Sequence, residues 1–189
     1  MPTFEDGILA LFQTIHPLDR VGRAGYVLRG VSEPESVAAH SHFVSLLTLL
    51  FVEEHPEEYD GAKAMAMALI HDLSEAELMD IPMPYADAYL GDAKDKAEQA
   101  IFEDLFAAFP GRLVDYFREL IDRSTPEARL VRGLDKAQMM LKVLFYEAEH
   151  RGRLGEFWDN PKNFEDYGCD PVSDLFDAIC AAAGRSRPR

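Results

Sequence analysis

Apolar residues recur at helical spacing along nearly the whole chain, and no stretch shows the strict alternation of a half-buried strand. Phe4, Ile8, Leu11, Phe12 and Ile15 form a first stripe, which His16-Pro17 ends. A second helix runs from Val37 to Val52, opened by Ser36 as a capping residue and closed by His55-Pro56. Residues 61–79 are apolar nearly all round, through Ala62, Met65, Ala66, Ala68, Leu69, Ile70 and Leu73. That pattern predicts a buried central helix, which Pro82 and Pro84 forbid to continue. Residues 86–95 read as a loop or short turn. Ala97, Ile101, Leu105 and Phe109 predict a helix over 95–109, and Leu113, Val114, Phe117, Leu120 and Ile121 predict another over 112–122. Ser124-Thr125-Pro126-Glu127 offers a capping box and a first-turn proline for a long helix over 126–149. Residues 151–170, with Trp158 among Gly, Asp, Asn and Pro, read as a long ordered loop. A last helix over 171–183 precedes a basic frayed tail, 185–189. The predicted fold class is all-α.

Several polar residues interrupt this apolar pattern. His40 shares a helix face with Val37, Val44 and Leu47, so it points inward, whereas His42 points elsewhere. His71 and Asp72 stand side by side near the end of the central helix, with Glu75 one turn on from His71 and Asp80 where the helix breaks. Asp135 lies four residues from both Val131 and Met139, on the apolar face of the long helix. Burying such groups is costly unless each finds a partner. The bland solution is a hydrogen-bonded core histidine and an internal salt bridge; the functional one is a metal ion. Arg20, Arg23 and Arg29 alternate with Gly22, Gly25 and Gly30. That segment is either a solvated loop or an anion clamp, since arginine forks match phosphate oxygens.

Composition narrows the field. A net charge of −15 over 189 residues argues against nucleic acid and against an anionic membrane surface as partners. A small phosphorylated substrate is compatible with it, because a metal and one or two arginines dominate their own surroundings. Hydrophobic residues make up 48% of the chain, enough for a full core in one domain. Cys169 and Cys180 form no CxxC pair and read as structural thiols in a reducing, cytoplasmic compartment. Glu5 and Asp6 stand where a signal peptide would be basic, and the longest apolar run, Leu46 to Val52, is too short for a bilayer.

Three predicted helices thus carry inward metal-capable side chains in the order His40, His71-Asp72, Asp135. Two histidines with two aspartates suit Mn, Fe, Co, Ni or Zn better than Mg or Ca. This order resembles the HD-domain superfamily of metal-dependent phosphohydrolases. The strings Pro34-Glu35-Ser36-Val37-Ala38-Ala39-His40, Ala68-Leu69-Ile70-His71-Asp72-Leu73-Ser74-Glu75 with Asp80 and Pro82, and Leu134-Asp135-Lys136 with Met139 resemble its 5′-deoxynucleotidase branch. The likeness runs from about Arg20 to Trp158, the expected domain core, with the loop, last helix and tail of 159–189 appended.

The resemblance implies an all-α HD domain that is a homodimer with one divalent transition metal held by His40, His71, Asp72 and Asp135. It implies Glu75 and Asp80 as the acids at the reacting phosphate, and Arg23, with Arg29 and Tyr26 nearby, on the substrate side. Acid and base stay unassigned between Glu75 and Asp80, and Arg20 and Arg29 compete with Arg23. No histidine lies between His71 and His150, which sets the chain apart from the dinuclear di-iron oxygenase and cyclic-dinucleotide branches. Ala39 stands where the branch usually has an acid, Tyr26 where it has tryptophan, and Gly30 where it has asparagine. The implied reaction removes the 5′-phosphate from a (deoxy)nucleoside monophosphate. A different small phosphate ester or nucleoside triphosphate, and a non-catalytic metal-stabilised nucleotide-binding module, are the alternatives.

Overall fold

The structure, a computed structural model, describes residues 3–188. Its helices are α1 (Phe4–Ile15), α2 (Ala24–Val27), α3 (Val37–Glu54), α4 (Gly61–Ile70), α5 (Glu75–Leu78), α6 (Met83–Tyr85), α7 (Asp92–Leu105), α8 (Arg112–Asp122), α9 (Pro126–Ala148), α10 (Gly155–Asp159) and α11 (Asp170–Ala182). Among the described residues the only β pairing is one isolated bridge, Gly22 to Ser36. The all-α class is therefore what the chain adopts.

The long helix α9 is the centre of the molecule. Pro126 occupies its first turn, and the Thr125 hydroxyl accepts from the Ala128 N–H. Both faces are buried. Leu130, Leu134, Met140 and Val143 enter a core shared with Val52 of α3 and with Val172 and Phe176 of α11. Val131 and Ala128 enter a second core with Val44 of α3, Met67 and Ala68 of α4, and Phe102 and Phe117 of α7 and α8. The Phe102 ring stacks on both Phe106 and Phe117, at 4.3 and 4.1 Å. With α9 pressed from both sides, α3, α4 and α9 meet pairwise.

Six local expectations are corrected. The central helix does not run to 79: α4 stops at Ile70, and His71–Ser74 form a turn before α5. Nor is it buried all round, since Leu69 is 57% exposed. The inward line of α7 is Glu98 and Phe102, one residue round from the predicted stripe, because the Phe102–Phe117 stack sets the helix rotation. Glu127 does not close a capping box; it accepts from the Asp60 N–H and pairs with Lys63. The loop over 151–170 contains α10 and a 3-10 turn, Pro161–Phe164. The tail is tied down where it is described: Arg187 donates to Ser173, to the Phe164 carbonyl and to Asp166. Its last residue, Arg189, lies outside the described residues.

The chain leaving α9 is pinned to the arginine segment. Arg153 N–H donates to the Arg29 carbonyl at 2.8 Å, and Gly152 (φ +77°) lies so close that an added Cβ would stand 2.6 Å from Val31 Cγ2. Gly152→Ala is therefore expected to lower unfolding stability by about 1–3 kcal/mol, read from denaturant midpoints. An unchanged midpoint would mean that this junction relaxes freely.

Candidate metal and phosphate site

The turn between α4 and α5 meets α3 and α9 at one point. His40 is fully buried on α3, and its Nε2 lies 3.3 Å from His71 Nε2 and 3.0 Å from Asp135 Oδ1. Asp72 Oδ2 lies 3.5 Å from His40 Nε2 and 3.2 Å from His71 Nε2. One ligand atom from each of His40, His71 and Asp72 falls within 4.8 Å of the others. Asp135 completes the group from α9 through its approach to His40.

Hydrogen bonds behind the two rings decide what faces this point. His71 Nδ1 donates to the Ala68 carbonyl at 2.8 Å, which leaves Nε2 as the bare nitrogen of the neutral ring. Gln138 Nε2 donates to Glu35 Oε2 at 3.0 Å, so its Oε1 faces His40 Nδ1, at 2.6 Å, and accepts from it. His40 Nε2 then carries the lone pair of the neutral ring, and in the protonated ring it is the N–H that faces Asp135 at 3.0 Å. Two buried lone pairs 3.3 Å apart repel unless a cation sits between them. Metal–ligand bonds of about 2.0–2.2 Å place neighbouring ligand atoms about 3 Å apart. Two imidazole nitrogens and two carboxylates at these spacings fit a divalent transition metal.

The charge balance agrees. Arg23, at the entry to α2, reaches Asp80 at 2.7 Å, Asp72 at 3.4 Å, Glu75 at 3.9 Å and Asp135 at 4.0 Å. Four carboxylates thus surround one guanidinium. Burial opposes the charge on Asp72, but His71, Arg23 and His40 hold it well below the usual carboxylate range. Asp135 is likewise held down by its His40 bond against the cost of burial. Burial, reinforced by the Asp72 charge, pushes Glu75 well above that range. Its Oε2 is buried with no hydrogen-bond partner among the described residues.

Arg23, Asp72, Glu75, Asp80 and Asp135 line an open cleft of about 880 Å³, with His40 and His71 buried behind them. Asp80 is fixed twice, by Arg23 and by the Ala24 N–H at 2.5 Å. Arg29 lines the same cleft but is paired with Glu156 at 2.6 Å. Tyr26 is 2% exposed; its hydroxyl donates to the Met139 carbonyl and its ring stacks on Phe157. Arg20 stands apart, exposed and bonded to Asp19. The sequence reading missed four participants. Gln138 stands three residues after Asp135 on the same helical face, a visible spacing, and Arg132 and Lys136 of α9 also line the cleft. Glu35, quoted only as part of a string, is the buried carboxylate behind His40.

Residues 15–163 match the family described as HD domain, a span that contains every member of the cluster. The chain belongs to the HD-domain family. The HD-domain chain is 31% identical to the 5′-deoxynucleotidase HDDC2 of Xenopus laevis over 159 residues, covering 81% of this chain and 77% of that protein. It is 30% identical to the Bos taurus protein of the same name, covering 81% and 75%. Among solved structures it resembles a conserved hypothetical protein from Pyrococcus furiosus, with TM-score 0.78, 33% identity and coverage of 92% and 98%. A Pyrococcus horikoshii OT3 protein gives 0.77, 32%, 93% and 98%.

Gln138→Leu removes the bridge between His40 and Glu35 while keeping the side-chain bulk. It is expected to weaken Mn²⁺ or Co²⁺ binding about 10- to 100-fold, read by titration of chelated protein. Wild-type affinity in this variant would show that His40 needs no support from behind.

Proposed function

We propose that this HD-domain chain is a metal-dependent phosphohydrolase that removes the 5′-phosphate from (deoxy)nucleoside monophosphates. The observation that carries the reading is the meeting of two buried imidazole nitrogens with four carboxylates and one guanidinium, the carboxylates and guanidinium lining an 880 Å³ cleft directly in front of the histidines. The names of the HDDC2 relatives point the same way. His40, His71, Asp72 and Asp135 hold one divalent metal, with Mn, Fe, Co, Ni and Zn all matching the mixed donor set. When bound, it supplies a Lewis acid that activates water and offsets phosphate charge.

The remaining residues bind, orient and move protons. Arg23 offers its guanidinium to the phosphate oxygens, where added positive charge counts most as the transition state forms. Asp80, held by Arg23 and by the Ala24 N–H, fixes the direction of that fork. With its oxygens so occupied, Asp80 is a poor proton carrier. Glu75, with Oε2 free of hydrogen-bond partners among the described residues, is the group placed to exchange a proton with the attacking water or the leaving oxygen. Tyr26 and Arg29 border the sugar side of the cleft and govern the choice between deoxyribose and ribose.

The whole chain works as one HD domain, since α11 shares a core with α9. The two cysteines are free thiols, which suits a cytoplasmic enzyme. Among the described residues no helix is long and apolar enough to cross a membrane. Phe43, Leu46 and Leu50 recur at i, i+3 and i+7 on α3 and stay exposed, and this face pairs two copies into a homodimer.

The deciding assay is phosphate release from dAMP and AMP by chelated protein reloaded with Co, Mn, Zn or Mg. Metal-dependent release that favours dAMP is expected, with Glu75→Gln lowering turnover about 100-fold or more while metal content stays constant. Metal loss in that variant would make Glu75 a ligand; no release with any metal would sink the reading. Separately, sedimentation is expected to show twice the 21.3 kDa chain mass for the wild type and the single chain mass for Leu46→Glu. A monomeric wild type would remove the dimer.

A further inference from the structure

The cleft has more cations than its phosphate-binding role has so far used. Most of them are already engaged. Arg23 faces four carboxylates, Arg29 is held by Glu156, Lys94 by Glu98, and Lys162 by Asp87. Arg132 and Lys136 are different. Neither has a carboxylate oxygen within 4.0 Å of its side-chain nitrogens among the described residues, yet both are half-buried and line the cleft. Arg132 spends only Nε, on the Leu120 carbonyl at 3.2 Å. Lys136 Nζ meets only the Met83 thioether at 3.5 Å, a weak acceptor.

Half-burying a cation with no anion in direct contact is costly, and Arg132 feels the charges of Asp135, Asp72 and Glu98 only at a distance. Scarcity of acids does not explain it, because the chain carries 34 Asp and Glu against 19 Lys and Arg. The two residues are four apart on α9, one above the other, so both side chains reach one tetrahedral anion. They also flank Asp135, which ties their wall of the cleft to the metal cluster. An arginine fork beside a lysine point charge is a phosphate-binding pair. We infer that Arg132 and Lys136 form an anion subsite that grips the phosphate group of the substrate alongside Arg23, whose guanidinium is shared with the carboxylates around it. The inference rests on the phosphohydrolase reading for its substrate, and on the unpaired cations for its location.

The test uses the full chain loaded with metal, as wild type, Lys136→Gln, Lys136→Arg and Arg132→Gln/Lys136→Gln. Metal content is measured first, then KM and kcat for dAMP, and orthophosphate binding by calorimetry. Loss of one charge is expected to raise KM and the phosphate Kd about tenfold or more, the size of a charge-assisted hydrogen bond. The double variant should lose more, Lys136→Arg should keep most of the affinity, and metal content should not move. Folded, metal-loaded variants with wild-type KM and wild-type phosphate binding would overturn the subsite. If the wild type hydrolyses no nucleoside monophosphate, the function proposed above fails, and calorimetry still decides: phosphate bound by wild type and lost in the variants supports the subsite, equal binding overturns it. Should the double variant fail to fold, the half-exposed Lys136→Gln carries the same comparison alone.

Discussion

Two buried imidazole nitrogens face each other across 3.3 Å, each the lone-pair nitrogen of its neutral ring because the other nitrogen donates a hydrogen bond on the far side. That arrangement is repulsive by itself, and the carboxylates of Asp72 and Asp135 beside it add negative charge to a dry interior. A cation at the centre turns the same geometry from a cost into an attraction. Much of the surrounding structure serves to hold these nitrogens where they are. The Ala68 carbonyl, at the last turn of α4, orients His71. Gln138 and Glu35 orient His40 from α9 and from the residue before the Ser36 cap.

The same constraint accounts for the broken helix. A continuous helix over 61–79 would carry His71 and Asp72 on divergent faces. Ending α4 at Ile70 and turning through His71–Ser74 lets both side chains reach the α3–α9 junction and sends Glu75 to the start of a new helix, inside the cleft. The helix α9 bears the complementary load. One face packs against α11 and another against α4 and α8, and between them it presents Arg132, Asp135, Lys136 and Gln138 to the site. Packing on both sides keeps those four side chains at fixed separations, which a surface helix would not do.

Legibility followed the range of the interactions. His40, His71, Asp72 and Asp135 stood out because each sits where helical periodicity expects an apolar side chain, and that clash is visible in one dimension. Gln138 has the same spacing but an unremarkable side chain, so nothing in the pattern marks it as the support of His40. Lys136 follows Asp135 directly, so helical geometry turns it about 100° away from that carboxylate. The cleft wall on that side is built by Met83, Asn163 and Tyr167, far off in sequence. The exposed apolar face of α1, with Phe4, Ile8 and Phe12 in solvent, was unreadable for the same reason: a stripe shows that a face is apolar, not what covers it.

The sequence by itself determined the all-α class, the main helices and the four inward polar residues that mark an HD domain. These follow from short-range rules of helical period, caps and prolines, and from the cost of a charge on an apolar face. Only the tertiary structure decided where the central helix breaks, which nitrogen of each histidine is bare, and which cations in the cleft are spent and which are left over. Apart from the local His71–Ala68 and Lys94–Glu98 contacts, those outcomes depend on pairings between residues 31 to 127 positions apart, among them His40 with His71 and Arg29 with Glu156. No local pattern encodes such distances.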